Sequence, residues 1–190
     1  MSSIKLEGNA SGTGIFTIAS PNSNTNRTLT LPNNTGTILT SATTTGFPAG
    51  SVIQVVNANY STETSSSSST FADTGLTATI TPTSSSSKIL VFVNQAGCGK
   101  LTNNTFLYLR LLRDSTTISN FERVGGATGG TTQNYFGSCS VCYLDSPATT
   151  SAITYKTQFA SQGNNASVRV NTSDGGTGSM STITLVEIAA

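Results

Sequence analysis

Apolar residues in this chain occur in short runs, and within many of these runs they alternate with polar residues. The segment Ser181–Ile188 alternates over eight residues, and Thr28–Leu31 repeats the pattern over four. Alternation with period two places the apolar side chains on one face of a β-strand. Ser, Thr, Asn and Gly separate the runs and favour turns. The sequence therefore predicts an all-β protein built from many short strands.

Composition sets a second constraint, because only 9% of the residues are charged. A typical soluble domain carries about 25% charged residues. Polar, uncharged chains are often disordered when they lack apolar residues to bury. Here 35% of the residues are hydrophobic, and they follow the strand pattern, which indicates a folded chain.

Residues 1–45 contain four apolar pairs with turn residues between them, and each pair predicts one short strand. These few side chains are too small a set to form an independent core. We therefore expect residues 1–45 to form an oligomerisation or anchor module in which several chains bury one another's apolar faces. Residues 46–51 are expected to be a linker. The pairs are Ile4 with Leu6, Ile15 with Ile18, Leu29 with Leu31, and Ile38 with Leu39.

Residues 52–190 contain about nine strand candidates and no helical periodicity, which predicts a β-sandwich head domain that resembles a jelly roll. The nearly continuous apolar run Lys88–Val93 predicts a central strand covered on both faces. The serine runs 65–69 and 84–87 and the glycine segment 125–130 are expected to be loops. The predicted strands are Val52–Tyr60, Leu76–Thr81, Lys88–Gln95, Thr105–Arg113, Thr116–Asn120, Asn134–Leu144, Ile153–Ala160, Val168–Asn171 and Ser181–Ile188.

The sequence offers little for catalysis, because it contains no histidine and so lacks the commonest general base and metal ligand. Its eight carboxylates are isolated and mostly near predicted turns. Cys139 and Cys142 have the spacing of a redox motif but lie in a predicted strand, on opposite faces, and with Cys98 they are interpreted as reduced thiols. We expect no enzyme activity, no cofactor, no metal site and no catalytic residue.

Charge and hydropathy also limit the expected partners. The net charge is +1 and the basic residues are scattered, so nucleic-acid binding is not expected. No apolar run approaches the ~20 residues that a membrane span needs, and we expect no membrane insertion. The first residues lack the apolar core of a signal peptide, which predicts synthesis in a host cytoplasm without an export signal.

One stretch suits adaptable recognition of polar ligands such as glycans. It runs from residue 120 through the glycine segment to residue 136 and supplies Phe121, Arg123, Asn134 and Tyr135 as candidate ligand-binding residues. Aromatic rings can stack on sugar faces while Asn and Arg donate hydrogen bonds. The alternative interpretation is an ordinary solvated loop with two core aromatics.

Two sets of segments resemble bacteriophage proteins. The segments 12–21 and 27–38 are similar to a stretch that recurs near the start of tail-fibre-like and other virion proteins. The second set resembles a C-terminal module of phage, especially cyanophage, fibre-like proteins. Its segments are Ala72–Pro82, Leu109–Asp114, Tyr143–Thr150 and Thr182–Ile188.

This resemblance implies a homotrimer in the virion with a role in host attachment or particle decoration. Because the chain has no extended shaft, we expect a short tail fibre or fibre tip. Residues 1–45 are then expected to contact other virion proteins, and the head domain a glycan or protein of the host surface. The alternative is a capsid decoration protein that stabilises the shell, and a glycan-cleaving enzyme ranks third.

Overall fold

A computed structural model describes residues 11–15, 17, 24–26, 28, 47–163, 166–173 and 178–190. The chain divides into two compact units, Met1–Thr37 and Ile38–Ala190. In the first unit the described residues are exposed, and Ile15 has 92% of its surface accessible. The other apolar residues of the four predicted stalk strands and the predicted boundary at residue 45 lie outside the described residues. The anchor module therefore remains a prediction.

The second unit consists of β-strands, and its described residues contain no helix. The all-β prediction is confirmed. In chain order the strands are β1 Val52–Tyr60, β2 Thr64–Ser66, β3 Ala72–Ile80, β4 Lys88–Lys100, β5 Thr105–Arg113, β6 Thr116–Gly125, β7 Asn134–Asp145, β8 Ile153–Gly163, β9 Val168–Val170 and β10 Ser181–Ile188.

The strands form two antiparallel sheets that share one core. Sheet A has the order β1-β10-β4-β7, and the short strands β9 and β2 continue it beside the far end of β4. Sheet B has the order β3-β8-β5-β6. Numbered among the eight long strands alone, the two orders are 1-8-3-6 and 2-7-4-5, the connectivity of a jelly roll. The predicted jelly-roll-like sandwich is confirmed.

The predicted strand bounds agree closely with the structure where alternation is strong, and differ where glycine or serine dominates. Strands β1, β5 and β10 begin and end at the predicted residues. In contrast, β2 lies partly within the predicted serine loop 65–69 and pairs with β9. That prediction was wrong because β2 is held by backbone pairing and has no apolar side chain to reveal it. The predicted linker also ends in a turn that hydrogen-bonds to Ala189 near the C-terminus.

The core consists of two apolar clusters, and residues from both sheets contribute to each. In the first, Val91 and Leu185 of sheet A pack with Leu111 and Tyr155 of sheet B. The second lies further along β4 and contains Cys98, Leu107, Phe159, Val168 and others. The side chains named here have no exposed surface, so the centre of each cluster is fully enclosed by other residues.

A belt of buried polar residues separates the two clusters. Gln95 of β4 donates to Ser181 at 2.8 Å and to Asn171 at 3.2 Å, and accepts a hydrogen bond from Thr157 of sheet B at 2.9 Å. Thr157 in turn shares a hydrogen bond with Thr74. All five residues are fully buried. Because buried polar groups are costly without partners, this network fixes the register of one sheet against the other.

One end of the sandwich, which we call the carboxylate end, is closed by acidic side chains. Both carboxylate oxygens of Asp145 accept from Nη1 of Arg113 at 3.0 and 2.9 Å, and Oδ2 also accepts from the Tyr155 hydroxyl at 2.7 Å. Burial, together with the Asp145 carboxylate, raises the pKa of Tyr155 far above its ordinary value. Asp114 has the positive φ of a turn residue and accepts from the backbone N–H of Thr154, which agrees with its predicted turn role.

Glu187 closes the same end from the last strand. Its carboxylate accepts from Nε2 of Gln54 at 2.5 Å and from the backbone N–H and hydroxyl of Thr83 at 2.7 and 2.8 Å. Burial alone would raise the pKa of Glu187, but these donors outweigh it and hold the pKa below its ordinary value. Glu187 is therefore ionised in the folded protein at neutral pH.

The outer face of sheet A differs from the prediction for the run Lys88–Val93. β4 is a central strand with neighbours on both sides, as predicted. However, Phe92 points outward and is 44% exposed, so only the inner face of β4 is covered within the described residues. Next to it, an outward row of four aliphatic residues crosses the sheet. This row, here called the aliphatic row, is Val55, Val186, Leu90 and Leu144.

Candidate ligand-binding site

The end opposite the carboxylates, which we call the glycine end, carries a cleft built on irregular strand pairing. The register between β4 and β7 shifts on both sides of Cys98. Gly97 has a φ of +59°, and a Cβ there would lie 2.3 Å from the backbone nitrogen of Thr172. Only glycine fits such a position, because both the backbone conformation and the contact exclude a side chain. Extra residues of this kind kink a strand and open its surface.

One wall of this cleft is formed by Thr172, Ser173 and Ser179, which follow β9. Thr172 donates to the carbonyl of Gly97 from both its backbone nitrogen and its hydroxyl, at 3.1 and 2.7 Å. Ser179 donates from its nitrogen and hydroxyl to the carbonyl of Thr172. These bonds tie both described ends of the loop to the bulge in β4, so the wall and the strand form one unit.

The cleft has a volume of about 650 Å³, and none of the described residues in its lining is charged. Gly137 has a φ of +90°, and a Cβ placed on it would have no atom within 4 Å. The cleft is therefore open at Gly137. The lining combines small side chains, hydroxyls, one amide and one aromatic ring. It is formed by Ala96, Gly97, Cys98, Gln133, Tyr135, Gly137, Ser138, Thr172, Ser173 and Ser179.

Tyr135 is the aromatic residue of the cleft. Its ring packs directly on the backbone of Gly99, where a Cβ would lie 2.4 Å from Cδ1. The residue nevertheless leaves 46% of its surface exposed. Glycine at position 99 therefore lets the ring lie close to the sheet, and the rest of the ring is available to a ligand.

The four sequence-predicted ligand residues do not form one site. Tyr135 lines the cleft, and its neighbour Asn134 is half-buried and donates to the carbonyl of Gly126 at 3.4 Å. Arg123 instead stacks its guanidinium 4.8 Å from the ring centre of Tyr108 on sheet B. Phe121 is half-buried and packs against both core clusters. This position agrees with the alternative interpretation of residues 120–136, a solvated loop with two core aromatics. Binding by this set of four remains a prediction.

The glycine segment after β6 is held in place by hydrogen bonds, although the sequence predicted a flexible loop. The carbonyl of Thr128 accepts from Nζ of Lys100 at 2.8 Å and from the backbone nitrogen of Asn104 at 3.0 Å. Lys100 has no exposed surface. The buried ammonium group of Lys100 therefore holds the glycine segment in place, and Asn134 donates to the same segment.

Sequence reasoning missed most of the cleft. Gln133 and Ser138 flank the predicted Asn134–Tyr135 pair, but Ala96, Gly97 and Thr172 come from distant parts of the chain. One local signal was available: the run Gly97-Cys98-Gly99 interrupts an otherwise apolar strand pattern. Glycine inside a strand often marks a bulge or a close approach of another group, and both occur here.

The three cysteines are free thiols. Cys139 is buried and Cys142 is exposed, so the two lie on opposite faces of β7 as predicted. Contact with the Cys139 thiol and burial both raise the pKa of Cys98, which keeps Cys98 protonated. Among the described residues no group of three or more Cys, Asp or Glu residues is arranged to hold a metal ion. No helix in the described ranges is long and apolar enough to cross a membrane.

Together, the fold and the cleft define a jelly-roll protein with a cleft whose described lining is uncharged and contains one tyrosine ring. No protein-family model and no curated protein matches the chain. It is similar to a crystal structure of the infectious bursal disease virus VP2 subviral particle, with 13% identity and a TM-score of 0.40. It is also similar to a structure of the Gt strain of that virus, with 14% identity and a TM-score of 0.38.

Both comparisons cover 72% of this chain and 38% of the other chain. The chain thus spans less than half the length of these structures. At this identity and TM-score, the likeness carries no argument about what this protein does.

Proposed function

We propose that this protein is a structural component of a virus particle, and in particular a short tail fibre or fibre tip that attaches to the host surface. The resemblance of its segments to phage fibre-like proteins supports the proposal. The jelly roll is consistent with it, since viral capsid proteins and lectins use this architecture. A fold alone does not define a function, so the proposal rests on where the resembling segments lie.

The observation that carries the proposal is that three of the four segments of the second resemblance supply side chains to the carboxylate end, and the fourth ends beside it. Leu109–Asp114 supplies Arg113, and Tyr143–Thr150 supplies its partner Asp145. Thr182–Ile188 supplies Glu187, which binds Thr83, the residue after the segment Ala72–Pro82. The resembling residues therefore make much of this end of the sandwich, which supports the proposal that they form a shared framework.

The aliphatic row supports the homotrimer that we propose as the working assembly. Val55 is 58% exposed and Leu144 is 52% exposed, and the row is continuous across four strands. Contiguous apolar surface of this kind marks contact sites. We propose that other copies of the chain cover it, while residues 1–45 contact other virion proteins and the head domain reaches the host.

Light scattering coupled to size exclusion tests the assembly. We expect the full chain to be a trimer, and Leu144→Ser to shift the population toward monomer. The matched control is Val124→Ser, which removes an aliphatic residue that is 65% exposed from β6 of the other sheet. A stable monomeric parent at micromolar concentration would overturn the trimer.

The alternative function is capsid decoration. The aliphatic row also favours this function, because a protein that stabilises the shell needs apolar surface to bind neighbouring shell subunits. Electron microscopy of gold-labelled particles separates the two. We expect label at the tail, and purified full chain that adsorbs to host cells and competes with infection. Label on the capsid, with loss of shell stability in particles that lack the protein, would replace the fibre assignment. Absence of label from purified particles would sink both.

A further inference from the structure

We propose that the cleft at the glycine end binds a neutral saccharide through stacking on Tyr135. This inference rests on the proposed attachment function and specifies the chemical class of the host ligand. It differs from the sequence prediction in its residues, because Phe121 and Arg123 lie outside the cleft. Three features of the lining support it: its charge, its aromatic surface and its unused polar groups.

The lining selects a neutral ligand. None of the ten described residues that line it carries a charge, and the buried cation at the glycine end, Lys100, is committed to the carbonyl of Thr128. A phosphate or carboxylate in the cleft would lose hydration without gaining a counter-charge. Nucleotides, anionic polysaccharides and acidic peptides are therefore poor ligands for this site.

Tyr135 supplies the surface that a sugar ring needs. The C–H groups of a pyranose face form an apolar patch that packs on an aromatic ring. Because its ring lies against Gly99, Tyr135 has little freedom left to lose when a ligand binds. Rigid aromatic contacts of this kind bind at low entropic cost.

Hydroxyl and amide groups around the ring match the hydroxyls of a sugar. No hydrogen bond in the described part of the chain uses the side chains of Gln133 or Ser138, and the residues themselves are exposed. Together they offer one amide and one hydroxyl beside the ring. The volume of about 650 Å³ lies within the range of about 300–1,000 Å³ that is usual for small-ligand sites. A short oligosaccharide fits these dimensions and this chemistry.

Calorimetry with the purified full chain tests the inference. The probes are neutral oligomers of glucose, galactose, mannose and N-acetylglucosamine, two to four units long, with galacturonate oligomers of the same lengths as the anionic comparison. We expect saturable binding of at least one neutral series and none of the anionic one. Tyr135→Ala should weaken binding about tenfold or more, from the loss of an aromatic contact.

Tyr108→Ala is the matched control, because Tyr108 is a half-buried tyrosine on the outer face of sheet B. Its affinity should equal that of the parent chain. A second variant, Ser138→Tyr, places a bulky side chain in the cleft, and its comparison is Ser140→Tyr two residues along the same strand. Ser138→Tyr should abolish binding, and Ser140→Tyr should retain it. These two exposed positions keep the test valid if Tyr135→Ala fails to fold.

Binding of galacturonate alone, binding of peptides but no saccharide, no binding of any probe, or equal binding by Tyr135→Ala and the parent would each overturn the inference. Failure of the proposed function reads differently. A chain that binds neutral saccharide through Tyr135 but is absent from purified particles would keep this site and refute the virion role. A chain found at the tail that binds no saccharide would do the reverse.

Discussion

The two ends of the sandwich are built from different chemistry. At the carboxylate end, Asp145 and Glu187 each accept several hydrogen bonds from neighbouring strands or loops. At the glycine end, Gly97 and Gly137 with positive φ lie where the pairing of β4 with β7 is irregular, and the cleft that opens there has no charged residue in its described lining. β4 and β7 run through both ends, so for these two strands the difference comes from the residues that each strand places at either end.

This contrast shows how a jelly roll can include a binding cleft at one end while the rest of the sandwich keeps its strand pairing. At one end, the Arg113–Asp145 ion pair and the hydrogen bonds to Glu187 hold the strands in register. Further along the core, the polar belt around Gln95 holds the two sheets in register. The other end then tolerates bulges and glycines that a less constrained sandwich would not. If this is correct, substitutions should cost most at the carboxylate end and least in the cleft.

Asp145→Ala should have the largest effect. It leaves Arg113 without its partner and the buried Tyr155 hydroxyl without its acceptor. Breaking a largely buried pair by removing one member costs about 3 kcal/mol. Urea unfolding at fixed chain concentration measures the loss. Asp73→Ala is the control, because Asp73 pairs with Lys156 but is 53% exposed, and it should cost less than about 1 kcal/mol. Equal losses would remove the distinction between the ends.

Gln95→Ala should have the second largest effect, a loss of about 2 kcal/mol in the free energy of unfolding, because it leaves buried polar groups without hydrogen-bond partners. Thr157 loses its acceptor in sheet A, and Ser181 loses one of its two donors. The comparison is Gln133→Ala in the cleft. If Gln95→Ala is as mild as that variant, the belt does not link the two ends.

Alternation made the fold predictable. β1, β5 and β10 could be bounded from the sequence because apolar residues recur at alternate positions along each of them, although Val55 and Val186 face outward and Glu187 faces inward. β2 could not, since Thr64–Ser66 is held by backbone bonds to β9. The outer face of β4 was misjudged because Leu90 and Phe92 are apolar yet outward, and a sequence does not distinguish a buried face from an exposed apolar one.

The candidate site was less predictable than the fold. Tyr135 and its neighbours are local in sequence, but the wall formed by Thr172 depends on its hydrogen bonds to Gly97, 75 residues away. Phe121 and Arg123 lie close to Tyr135 in sequence but on a strand of the opposite sheet. Proximity along the chain was therefore a poor guide to proximity at the cleft.

Acid should weaken the carboxylate end in a defined window. The pKa of Glu187 is lower in the folded chain than its ordinary value of 4.5. Its contribution to stability is therefore full well above pH 4.5 and is lost as the pH falls through the lowered pKa. Glu187→Gln should unfold more easily at pH 7 but lose less stability between pH 5 and 3 than the parent. Parallel pH profiles for both chains would contradict this role.

Ser138→Ala in the cleft should have the smallest effect, within about 0.5 kcal/mol of the parent. Its hydroxyl is exposed at the open side of the cleft and no hydrogen bond of the described chain uses it, so folding gains nothing from it. The same variant should nevertheless weaken saccharide binding, about three- to tenfold for one lost hydrogen bond. Urea unfolding and calorimetry on one preparation compare the two effects. The contrast between the two ends predicts that Ser138 contributes to binding but not to stability. If Ser138→Ala instead destabilises the chain as much as Gln95→Ala does, the cleft is part of the framework that stabilises the fold.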